Sequence, residues 1–195
     1  PLGELVLRKS LLALADLRTL GHNPLFSVNV SRRQFDNPKL VQEYLSIVRS
    51  HGESPSQIVI EVTETARFEN HLLALTLMQD FIDAGFQLAV DDFGTGESSF
   101  LQMSHVRYNE LKLDRSLVSC VFEPSGLSIM RSVVAMAKSL NMHLVAEGVE
   151  DRQTAELLES LEIDFCQGFY FAKPMPLERL AAFLDRGNAS PSSLK

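Results

Sequence analysis

Apolar and polar positions along this chain switch repeatedly between two periods. Over 2–20 the apolar residues recur at helical spacing and stop at Gly21. A short β-type run follows at 26–30, and the helical period returns over 38–49, after Asp36-Asn37 and before Gly52. The same exchange predicts strands at 58–63, 87–91, 108–113, 143–146 and 163–166. Helices are predicted at 71–84, 127–140, 152–160 and 177–184, with a short one from Ser98 after the Gly94/Gly96 loop. Strict alternation of strand and helix implies parallel strands joined by right-handed crossovers.

Parity within the strands sharpens the picture, because successive side chains point to opposite faces. Val28 and Val30, Ile60 and Val62, Leu88 and Val90, Leu111 and Leu113, Leu144 and Ala146 form one apolar set, suited to a face covered by helices. Asn29, Glu61, Asp91, Lys112, Glu147 and Gln167 fall on the other face, behind smaller or mixed residues such as Ser27, Val59, Ala89 and Val145. An open sheet covered by helices on both faces has no use for a polar group at the end of every strand. A barrel does, since its functional groups sit at the C-terminal mouth. The fold class predicted is therefore α/β, a modified TIM-like (β/α)8 barrel. Six βα units are visible where eight close such a barrel, so the first two strands are expected to be absent from this chain.

Bulk properties narrow the function. A chain of 195 residues supports one sizeable core. Hydrophobic content of 45% and charged content of 22% are those of a soluble domain. No apolar run has the length of a membrane span and no signal peptide is visible, so no membrane contact is expected. The first residue is Pro1, not Met, which suggests a piece of a longer polypeptide. The domain is expected to run over 1–186, with a flexible tail at 187–195. A net charge of -7 with no basic block argues against a nucleic-acid polymer as partner. An anionic ligand would need a local device such as metal ions. Cys120 and Cys166 lack CxxC spacing and read as free thiols of a reducing cytoplasm.

The polar ring is where chemistry concentrates. Asp91 and Asp92 end an apolar run and enter a glycine-flanked loop, Ala89-Val-Asp-Asp-Phe-Gly-Thr-Gly96. Adjacent buried acids are costly unless they bind cations or share a proton. Four acids and an asparagine at one mouth suit hard divalent cations, Mg2+ or Mn2+. Two such ions about 3.5–4 Å apart are the arrangement of phosphodiester chemistry. A lysine among them could hold the attacking water or deprotonate it. Each residue alone has a blander reading. Asn29 could end a turn, Glu61 could be a solvated charge, Lys112 could be an ion pair, and the DDFGTG segment could be an Asx turn with glycines for positive φ. The coincidence on six successive strands favours a site. None of the five histidines lies near a Ser or Cys nucleophile in a readable triad.

The segments SVNVS (27–31), EVTE (61–64), DDFGTGESS (91–99), LKLD (111–114), VAEGVED (145–151) and QGFYFAKP (167–174) resemble those of the EAL domain, the bacterial cyclic di-GMP phosphodiesterase domain. The resemblance runs from about Leu2 to Leu184. It implies a modified (β/α)8 barrel with one antiparallel strand, and hydrolysis of cyclic di-GMP to linear pGpG with two Mg2+ or Mn2+. It further implies that Asn29, Glu61 and Asp91 ligate one metal, and that Asp91 bridges to a second served by Asp92 and Glu147. By the same likeness Lys112 binds and activates the water and Gln167 helps position it. Glu64 anchors the DDFGTG loop, and Glu150 faces the substrate end. A homodimer and an upstream sensory or GGDEF-type domain are implied as partners, in a cytoplasmic setting.

Departures from the family pattern matter too. The signature Glu-Ala-Leu, whose Glu is a metal ligand, belongs upstream of the first helix. Glu4-Leu5 is not it, because its spacing to SVNVS is too short. The arginine that follows the signature is absent as well. Glu97 stands where an aromatic is common and Phe100 where Leu is common. The expectation is an N-terminally incomplete domain, by truncation in preference to a natural shortening. Weak activity is expected from these 195 residues alone, and full activity from a chain carrying the upstream Glu. The rival readings are a non-catalytic cyclic di-GMP receptor or interaction module, and a metal-dependent barrel enzyme of other specificity.

Overall fold

The computed structural model describes residues 2–63, 68–95 and 106–188. The expected roles of Glu64, Glu97 and Phe100, the short helix from Ser98 and most of the 187–195 tail lie outside the described residues.

Six strands pair in sequence order, every neighbouring pair parallel: β1 (Phe26–Asn29), β2 (Ile58–Thr63), β3 (Gln87–Phe93), β4 (Glu110–Leu113), β5 (His143–Ala146) and β6 (Phe165–Cys166). Between and around them run α1 (Leu2–Thr19), α2 (Leu40–Ser50), α3 (His71–Asp83), α4 (Arg115–Ser119), α5 (Pro124–Ser139), α6 (Arg152–Ser160) and α7 (Leu177–Asn188). The result is a half-barrel, the expected (β/α) architecture with six strands. Among the described residues β1 and β6 are its edges.

Strand residues alternate as expected on the helix side. All ten residues of the apolar set, from Val28 to Ala146, are buried there. They meet helix stripes of matching period: Leu7, Leu11, Leu14 and Leu17 on α1, Tyr44, Ile47 and Val48 on α2, and Leu77, Met78 and Phe81 on α3. Phe81 sits at the hub of an aromatic cluster. Its ring lies edge-on to Phe86 at 5.2 Å, Tyr44 at 5.7 Å and Phe35 at 6.3 Å between centroids. Phe81→Ala would leave a cavity among these rings. The expected cost is about 3–5 kcal/mol, read as a lower midpoint in urea unfolding with little change of slope.

Curvature shows on the inner face. Val59, Ala89 and Val145 are buried in its middle, while Ser27 and Asn29 on β1, and Phe165 and Gln167 at β6, are exposed at its edges.

Two strands are shorter than their apolar runs suggest, for a shared reason. Asn109 and Asp164 spend side chains on the ladder: the Leu88 N–H donates to Asn109 Oδ1 at 3.0 Å, and the Leu144 N–H donates to Asp164 Oδ2 at 2.8 Å. Regular pairing therefore begins only at Glu110 and Phe165. The helix α4 was not expected from periodicity. It is five residues long and begins where Asp114 accepts from the Ser116 N–H at 2.8 Å. Two 3-10 turns, Arg32–Asp36 and Pro55–Gln57, were likewise too short to carry a period.

Candidate functional site

The C-terminal ends of β2 to β5 build the site. Between β3 and β4 the register runs Ala89 to Glu110 and Val90 to Leu111, then jumps to Phe93 and Leu113. Two residues, Asp91 and Asp92, thus oppose the single Lys112, which defines a β-bulge. Asp92 takes φ of 58°, in the left-handed region that Asp tolerates better than most residues. Simple alternation would send Asp92 to the helix side. The bulge instead keeps one oxygen each of Asp91, Asp92 and Glu147 within 4.8 Å of one another. After it, Phe93 resumes the buried outer face.

Lys112 stands at the centre. Its Nζ lies 2.7 Å from Glu147 Oε1, 2.8 Å from Glu61 Oε1 and 3.1 Å from Asp91 Oδ1. Lys112, Glu61 and Asp91 are all buried. Burial alone would push the lysine pKa down. Hydrogen bonds to Glu147 and Glu61, with the charges of Glu61 and Asp91, overcome that and hold it well above the usual value. Before any cation binds, Lys112 is a donor and not a base. Burial raises the Glu147 pKa against the opposing pull of Lys112. Burial, then the neighbouring Asp91 charge, raises that of Asp92.

One ammonium cannot satisfy this many acids. Asp91 Oδ1 is at ion-pair distance from Lys112 but out of hydrogen-bonding alignment, and it is buried with no hydrogen-bond partner among the described residues. An orphaned carboxylate oxygen inside a group of three converging acids fits a hard divalent cation.

Of the residues singled out in the sequence, Glu61, Asp91, Asp92, Lys112 and Glu147 come together. Asn29 lies beside them in register opposite Glu61, with its side chain exposed. Gln167 sits next along, its N–H donating to Ala146 O at 2.8 Å and its carbonyl accepting from Val149 N–H at 3.0 Å. Its side chain is exposed. Glu150 lies beyond the cluster and pairs with Arg115 at 3.1 Å. Glu110 and Arg115 join the site without having been singled out by the strand-end pattern. Glu110 was readable by parity, since it shares the face of Lys112; burial, then the charge of Glu61, raises its pKa. Arg115 follows the strand and carries no periodic signal.

The family model described as the EAL domain matches residues 1–174. The cyclic di-GMP phosphodiesterase PdeR of Escherichia coli is 36% identical over 177 residues, covering 90% of this chain and 27% of that protein. The crystal structure of the EAL domain of Mycobacterium smegmatis DcpA superimposes with a TM-score of 0.90 at 30% identity, over 96% of this chain and 85% of that one. A manganese and cyclic di-GMP complex of Klebsiella pneumoniae BlrP1 gives a TM-score of 0.75 at 31% identity, over 83% of this chain and 42% of that one. This chain therefore spans well under half the length of PdeR.

Proposed function

The chain belongs to the EAL domain family, and from that premise we propose that it forms most of a metal-dependent phosphodiesterase domain that hydrolyses cyclic di-GMP to linear pGpG. The observation that carries the proposal is the buried cluster in which Glu61, Asp91 and Glu147 surround Lys112 while Asp91 Oδ1 has no hydrogen bond among the described residues. Asn29, Glu61, Asp91, Asp92 and Glu147 would hold two divalent cations, Mg2+ or Mn2+. Those cations would supply positive charge to a phosphodiester and acidify water.

The other roles belong to the chain's own groups. The Lys112 ammonium donates to the oxygen of the attacking water and fixes its position among the carboxylates. A neighbouring carboxylate receives the water proton, and Glu147 is placed for it, with Oε1 2.7 Å from the Lys112 Nζ that holds the water. Gln167 helps orient the water from the adjoining strand, and Glu64 anchors the loop after Asp92. The domain occupies about 1–186 of the chain, acts as a homodimer in the cytoplasm, and answers to an upstream sensory or GGDEF-type domain.

The test is a chromatographic product assay on the full-length gene product across a titration of Mg2+ and Mn2+, beside calorimetric binding of cyclic di-GMP. Linear pGpG is the expected product. Tight binding with no pGpG at any metal concentration would replace the enzyme reading with a receptor. Neither binding nor cleavage would end the cyclic di-GMP assignment.

A further inference from the structure

We propose that Arg115 is the phosphate clamp of this site: it releases Glu150 and takes a phosphodiester oxygen when the nucleotide enters. The inference rests on the function proposed above. The divalent cations would meet the phosphodiester from the side of the acid cluster, and an oxygen turned toward the rim still needs a donor there. Lys112 is not free, because three carboxylates enclose it and its side chain is only 10% exposed. Arg115 is built differently. Its side chain is 65% exposed, and among the described residues the one ion-pair partner of its guanidinium is Glu150, at 3.1 Å from one terminal nitrogen. A planar group with five donors has several left for a ligand.

Arg115 is also held in place. Its stem lies on the backbone of Gly148, the residue directly after Glu147. A Cβ at position 148 would come within 2.6 Å of Arg115 Cγ and 2.7 Å of its Cβ. Gly148 has φ of 69° as well, so both space and backbone call for glycine there. Arg115 follows Lys112 by three positions off β4, and Glu150 follows Glu147 by three off β5. The pair therefore bridges the rims of two adjacent strands beside the acid cluster. An exposed ion pair contributes little net stability, so exchanging Glu150 for a phosphate costs little. A phosphate can accept two parallel N–H bonds from the same guanidinium. Glu150 becomes a positioning residue, which keeps Arg115 extended along the rim when no nucleotide is bound.

Kinetics and binding on the full-length gene product test this, with cyclic di-GMP as probe. Arg115→Ala should raise KM and the dissociation constant about tenfold or more, the size of a lost charge-assisted contact, and leave kcat within about threefold. Arg115→Lys should recover part of the affinity, which also controls for a folding defect in the alanine variant. Glu150→Ala added to Arg115→Ala should change affinity no further, because its effect runs through Arg115. Active wild-type protein with unchanged affinity in Arg115→Ala, or a loss confined to kcat, would overturn the role of Arg115 alone. Wild-type protein that neither binds nor cleaves the nucleotide would overturn this inference together with the function beneath it.

Discussion

Replacing Lys112 with alanine in the full-length gene product is expected to lower kcat for cyclic di-GMP on the order of a thousandfold and leave nucleotide affinity within a few-fold. The ammonium is buried among Glu61, Asp91 and Glu147, below the rim where Arg115 and Glu150 sit. It can hold a water at the cluster but has no spare reach toward a ligand's bases. Loss of a donor that positions the reacting group removes catalysis of about that size. The substitution also strips three carboxylates of their shared counter-charge. In metal-free buffer that should cost about 3–5 kcal/mol of stability, the usual effect of removing one partner of a buried pair. Mn2+ should restore most of it, since the cluster then has another source of positive charge. Steady-state kinetics, calorimetry and thermal melts with and without Mn2+ check these outcomes together. Turnover within tenfold of wild type would remove Lys112 from the mechanism.

Asp91→Asn is expected to weaken Mn2+ binding by at least a hundredfold and to abolish measurable turnover, with little change in the fold. Asp91 is the residue on which the cluster converges. It contributes to the group with Asp92 and Glu147, it lies at ion-pair distance from Lys112, and its Oδ1 is, among the described residues, buried without a hydrogen bond. Asparagine keeps the shape and removes the charge, so the bulge at Asp91–Asp92 should survive. A hard cation loses far more from an amide in place of a carboxylate than the backbone does. Manganese titration by calorimetry, with circular dichroism as a fold control, reads both effects. Retained manganese affinity would place the metal elsewhere.

How much of this was visible in the sequence depends on the kind of signal. The period of two exposed both faces of the sheet: Ile60, Leu88, Leu111 and Leu144 are buried under helices, while Glu61, Lys112 and Glu147 meet on the other side. The chain's first edge follows the same rule, with Asn29 in register opposite Glu61. Parity failed at Asp92. A bulge with a non-glycine residue at positive φ leaves no mark in a pattern of apolar and polar positions. The apolar runs also overstated the lengths of β4 and β6, at whose starts Asn109 and Asp164 replace backbone partners with side-chain oxygens. The pairing of Arg115 with Glu150 was hidden for another reason. The two lie 35 positions apart on segments outside the strands, and only the tight passage of Arg115 over Gly148 brings them together.

The central claim is that the acids at the mouth of β3 and β5 hold divalent cations beside a phosphodiester. Anomalous diffraction from crystals of the protein grown with Mn2+ and cyclic di-GMP tests it most directly. The account predicts manganese peaks within ligand distance of Asp91, Asp92 and Glu147, with a phosphate of the nucleotide adjacent. Peaks confined to other surfaces, or a nucleotide bound at this mouth with Lys112 still closed against Glu61, Asp91 and Glu147 and no manganese among them, would contradict it.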